Sequence, residues 1–197
     1  MIKAILLIFA PGSTWMRISE AKRGVLTVLL LNPVPLILLA CVAEAYGLLK
    51  LGLFEGEFAR SKPIPVAWPL VFKYEQVRLA CDFATLFLGA QIFYWLDHSL
   101  NSRARYQLAF TVMAYSMGPM FLMRALDGLP WLNSWVCWGV GVVLAMHLLY
   151  HGVALVVQPD QTKGFGLFLV SSLVLALLTL TAQIVSLFVL HGRVLGL

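Results

Sequence analysis

The stretch VLTVLLLNPVPLILLACVAEAYGLL, residues 25–49, carries one charged side chain, Glu44. At 1.5 Å per residue it is long enough as a helix to cross a hydrocarbon core of about 30 Å. Comparable stretches follow at about 77–96, 107–126, 134–157 and 167–190. Together they fill most of a 197-residue chain that is 61% hydrophobic. Charged residues make up 12%, about half the share of an ordinary soluble domain. A soluble fold of this length could not hide so much apolar surface, so its solvent is largely lipid. The fold expected is all-α: a single polytopic membrane domain over 1–197, a bundle of five transmembrane helices after a short interfacial N-terminal segment.

Two of the stretches carry helix breakers. Pro33 and Pro35 remove backbone donors from the first, and Gly118-Pro119 interrupts the third. Each of Pro33, Pro35 and Pro119 should kink its helix and free carbonyls that need partners inside the bilayer. The segment STWMRISEAKR, residues 13–23, mixes apolar and charged residues. It reads as a short helix in the headgroup layer with Trp15 as its anchor. Met1 to Ala10 resembles a signal peptide only faintly and is read as retained. The long connection Lys50 to Gln76 holds Pro63, Pro65 and Pro69 and suits an irregular or part-helical surface segment. Small residues four apart, Ala80/Ala84, Ala114/Gly118 and Gly141/Ala145, allow close helix approach.

The net charge of +5 fits contact with anionic headgroups. No basic-aromatic motif points to nucleic acid. Cys41, Cys81 and Cys137 fall within spans without a CxxC spacing, so they read as small buried side chains. Lys and Arg divide seven and seven between the two sides, which leaves orientation undecided by charge. Setting aside the long connection, with its acidic residues, favours an inside N-terminus.

Chemistry must come from polar groups inside the spans, which are costly there. Glu44, Asp82, Arg124, His147 and His151 form the candidate intramembrane polar site. His147 and His151, four apart, share a helix face and could hold a metal with Glu44 or Asp82 as third ligand. The pair lacks the intervening Glu of a zinc protease helix, and hydrogen bonding to neighbouring helices accounts for it, so no metal is assigned. A proton relay through Glu44, Asp82 and His147 is the sharper alternative. Against it, both carboxyl groups lie near predicted span ends, within reach of water or basic partners. Arg124 reads as an interfacial ion pair with Asp127. No nucleophile elbow, phosphate loop or dinucleotide fingerprint is present, so neither an enzyme nor a cofactor is indicated.

The segments AYSMGPMFL (114–122), GLPWL (128–132) and LYHGVAL (149–155) resemble the Yip family of integral membrane proteins, named for interaction with Ypt/Rab GTPases. Pro11, Thr14, Trp15 and Ile18 resemble the opening of its small bacterial branch. The resemblance implies five spans in a bacterial inner membrane, with the N-terminus cytoplasmic and the C-terminus extracytoplasmic. It carries over no catalytic residue. The long cytosolic N-terminal region of eukaryotic members has no counterpart here, so a GTPase partner is not expected. Two functions follow as expectations. One is a non-catalytic scaffold or adaptor contacting lipid and other membrane proteins, or its own copies. The other is a transporter or channel for a proton, metal ion or lipid through Glu44, Asp82 and His147. Either way, the folded chain should stay with the membrane pellet through a detergent-free wash; its recovery as a folded species in the wash would refute the lipid-embedded fold.

Overall fold

The computed structural model describes residues 2–52, 66–99, 105–129, 131–157 and 161–190. Among these residues the regular elements are helices, with no strand. In chain order they are α1 (Ile2–Phe9), α2 (Pro11–Glu20), α3 (Val25–Leu31), α4 (Pro33–Tyr46), α5 (Trp68–Ser99), α6 (Tyr106–Ser116), α7 (Gly118–Asp127), α8 (Ser134–Gly152) and α9 (Gln161–Leu190). A π-helical turn, Gly47–Leu51, extends α4, and another, Val153–Val157, extends α8.

Four described helical stretches are long and apolar enough to cross a membrane: Val25–Leu51, Trp68–Ser99, Ser134–Val157 and Lys163–Leu190. The third expected span, 107–126, is divided into α6 and α7 at Met117. Neither half alone has the length. The cause is Pro119, which lacks the N–H that would continue the helical ladder. A similar break separates α3 from α4 at Asn32, just before Pro33. The two breaks are tied together: the Asn32 side-chain amide donates to the Ala114 carbonyl at 3.0 Å. A polar group released in one interrupted helix is thus satisfied by the other, as the absence of water in a bilayer core requires.

The pair α6–α7 runs through the middle of the bundle. Every residue from Ala109 to Pro119 is buried. The surrounding helices turn apolar side chains outward instead. Leu169, Leu173 and Leu177, at four-residue spacing on α9, are each about half exposed. Leu38 and Val42 on α4, and Val136, Val140 and Val143 on α8, do the same. Contiguous apolar exposure of this kind is what a lipid-facing surface looks like.

Three expectations change. The second span begins at Trp68, not near 77, because Pro69 occupies an early position where its missing N–H costs nothing. At 32 residues α5 is roughly 48 Å long, so it must tilt or project from the hydrocarbon layer. Trp15 is not an interfacial anchor: it is fully buried, edge-on to Tyr115 with ring centroids 6.2 Å apart, and against Gly152. The apolar face of α2, Thr14, Trp15 and Ile18, therefore caps one end of the bundle from within. Ala80 and Ala84 are exposed, whereas Gly141 approaches Met120 of α7 closely. Pro63, Pro65, Arg103, and His191 to Arg193 lie outside the described residues.

A close backbone approach joins the end of α4 to the end of α7. A Cβ on Gly47 would lie 1.9 Å from the Gly128 carbonyl oxygen, and one on Gly128 would lie 2.7 Å from that of Ala43. Backbone on both sides leaves no rotamer to relieve the clash. Gly47→Ala and Gly128→Ala should each destabilise by about 1–3 kcal/mol or more. Thermal unfolding in mild detergent measures this, with Gly139→Ala, which meets nothing within 4 Å, as the control expected to hold its midpoint.

Candidate functional site

Arg124 lies on α7, one turn before the Gly128 contact, and its side chain is 3% exposed. A guanidinium carries five N–H donors in a fixed fork and stays charged in any protein environment. Buried among helices, it must be met by anions. Its Nε donates to Glu44 Oε2 at 2.6 Å, its Nη2 to Glu75 Oε2 at 2.7 Å, and its Nη1 to Asp82 Oδ2. Nη2 also approaches Cys41 Sγ at 3.4 Å. The Tyr74 hydroxyl donates to the other oxygen of Glu44. Glu75 and Asp82 are seven residues apart on α5, two turns, so one face presents both. One cation thus holds α4, α5 and α7.

A second polar chain runs beside it. Gln183 of α9 donates through Nε2 to Ser134 Oγ at 2.6 Å, and that hydroxyl donates to Asp127 Oδ2 at 2.8 Å. It links α9, the start of α8 and the end of α7. Arg78, 8% exposed, sits on the same face of α5 as Glu75 and Asp82 and within electrostatic reach of Glu44, Asp82 and Asp127. Four carboxyl groups, Glu44, Glu75, Asp82 and Asp127, therefore face two guanidinium groups.

Of the five residues singled out from the sequence, the structure brings Glu44, Asp82 and Arg124 into direct contact. Of the two expected partners, water or a basic group, Glu44 and Asp82 both take the basic one, Arg124. Glu44 is 2% exposed, and Asp82 lies well inside the lengthened α5. Arg124 pairs with these carboxylates instead of forming the expected interfacial pair with Asp127, whose bond is to Ser134. His147 and His151 stand apart. Their rings meet edge to face at 4.9 Å, and His147 faces outward from α8. It lies 13 residues beyond Ser134, roughly 20 Å along the helix from the Asp127 end. A relay through Glu44, Asp82 and His147 is therefore not contiguous. Among the described residues no three His, Cys, Asp or Glu side chains are placed to hold a metal ion.

Tyr74 and Glu75 fall in the expected surface connection and Arg78 just inside the expected second span, and the sequence pattern singles out neither Ser134 nor Gln183. A signal was available for the first group: Glu75, Arg78, Asp82 and Thr85 follow a 3-4-3 spacing, one polar stripe of a helix that starts at Trp68-Pro69. Nothing in the one-dimensional pattern points Gln183 at Ser134.

Removing one partner of a buried ion pair strands the other charge, at about 3–5 kcal/mol. Arg124→Leu should lower the unfolding midpoint in detergent accordingly, and Arg124→Lys should lose part of that, since one ammonium cannot reproduce the fork. Adding Glu44→Gln, Glu75→Gln and Asp82→Asn to Arg124→Leu should recover stability; a further loss would show that the charges do not act as one unit.

A family-model comparison matches the Yip1 domain over residues 5–183. No curated protein and no solved structure gives a significant match to the chain.

Proposed function

Since the chain belongs to the Yip family, we propose that it is a non-catalytic, multi-pass membrane scaffold or adaptor for other membrane proteins, for its own copies, or for bilayer organisation. The observation that carries this is the Arg124 cluster. Glu44 on α4, Glu75 and Asp82 on α5 and Arg124 on α7 are bonded together, which makes a rigid core and leaves apolar outer faces free for lipid and partner helices. Transport through Glu44, Asp82 and His147 lacks support, because His147 is on the outside of the bundle.

The broken pair α6–α7 is, on this proposal, the fifth crossing. From Tyr106 to Asp127 it is long enough for about 33 Å. Its burial explains why it tolerates two half-helices where a lipid-facing segment would not. The chain then sits in a bacterial inner membrane with a cytoplasmic N-terminus and an extracytoplasmic C-terminus.

Reporter fusions at the two ends should register in opposite compartments; both in one compartment would refute an odd number of crossings. Affinity capture in mild detergent should recover a reproducible set of membrane proteins, or a second copy, with the wild-type chain and not with Arg124→Leu. Recovery of the wild-type chain alone under every mild condition would overturn the scaffold.

A further inference from the structure

Where the Arg124 cluster meets the Gln183–Ser134–Asp127 chain, a cavity lies between α5, α7, α8 and α9. It leaves about 40 Å³ for the centres of water-sized molecules. One water needs about 10–15 Å³ of such room, so the cavity takes roughly three and nothing of the size of a metabolite. Three buried polar atoms on the residues that line it have no hydrogen-bond partner among the described residues: Arg78 Nη1, Trp138 Nε1 and Gln183 Oε1. Arg78 is 8% exposed and Gln183 2%. A buried donor or acceptor left unmatched carries its full desolvation cost, so three around one cavity point to an occupant that matches them.

Sign and size select that occupant. Two of the atoms donate and one accepts, and the carboxyl groups of Asp82 and Asp127 belong to the same wall. A lone anion would satisfy Arg78 and Trp138 but would face both carboxyl groups. A lone metal ion would satisfy Gln183 and Asp127 but would face the guanidinium groups of Arg78 and Arg124. Among the described residues no three His, Cys, Asp or Glu side chains are placed to hold one. Water donates and accepts at once and brings no charge. It asks for about two to four polar partners, which this wall supplies.

We propose that the cavity is a hydrated site inside the bundle, holding roughly three ordered waters. The waters accept from Arg78 and Trp138 and donate to Gln183 and Asp127. They join the Arg124 cluster to the Gln183–Ser134–Asp127 chain, so that one polar network links α5 and α7 with α8 and α9. A bridging water is nearly as good a link as a direct hydrogen bond. It also hydrates charges where lipid offers no hydration, which lowers the cost of burying them together. The site stands whether or not the chain recruits partners.

Brief X-ray radiolysis of the purified chain in detergent, read by peptide mass spectrometry, tests it. The pulse makes hydroxyl radicals from the waters themselves, and these oxidise the side chains that the waters touch. Met117 and Met113 are both buried, at 2% and 0% exposure, but of the two only Met117 lines the cavity. Met117 should therefore be oxidised several-fold faster than Met113. A radical scavenger confined to bulk solvent should suppress oxidation of Met16, which is 53% exposed, and spare that of Met117. Cys137 also lines the cavity. Cys137→Leu fills the space with apolar volume and should bring the Met117 rate down to that of Met113. Trp138→Phe keeps the ring, removes one donor, and should lower the Met117 rate in part. Equal rates for Met117 and Met113 in the wild-type chain would overturn the hydrated site, and so would equal suppression of Met16 and Met117 by the scavenger. An unchanged Met117 rate in both variants, at wild-type unfolding midpoints, would place the water elsewhere and overturn it as well.

Discussion

A guanidinium that cannot be neutralised, placed among helices in oil, constrains everything packed around it. Arg124 must find anions, and Glu44, Glu75 and Asp82 must find a cation. The fork geometry converts that mutual need into a fixed arrangement of α4, α5 and α7. The glycines complete it. Gly47 lies three residues past Glu44 and Gly128 four past Arg124, and their backbones touch closely enough to exclude a Cβ. That approach brings Arg124 Nε to 2.6 Å from Glu44. Steric permission and electrostatic demand act on the same pair of helices.

The interrupted helices follow the same logic. Two proline breaks would expose backbone carbonyls if they faced lipid. Instead α6–α7 is enclosed, and Asn32 from the α3–α4 break bonds the Ala114 carbonyl. The buried Trp15 closes the opposite end against Tyr115 and Gly152. Apolar side chains face outward as well as filling the middle of the bundle, since lipid rewards no apolar contact between helices that it does not itself supply, and the buried charges gather near the end of α7.

Membership of the Yip family and four described helical stretches long enough to cross a bilayer describe a multi-pass membrane protein. The polar end of the bundle adds a second surface to consider. The Asp127–Ser134–Gln183 chain and Arg78 border a small cavity between α5, α7, α8 and α9.

Hydropathy alone was enough to establish a helical membrane chain and to place the breaks at Asn32-Pro33 and Gly118-Pro119, since span length and proline chemistry are local properties. It also identified Glu44, Asp82 and Arg124 as costly residues needing partners. It misplaced the start of α5, because the prolines and scattered charges of Lys50 to Gln76, Glu75 among them, read as a surface connection. Charge counts against insertion only until a partner is known, and the partner is 49 residues away in Arg124. The inward turn of Trp15, the outward turn of His147 and the joining of Gln183 to Ser134 were likewise decided by the tertiary structure. A helix's sequence says which residues share a face; only the packing of its neighbours says whether that face meets lipid, a charge or another backbone.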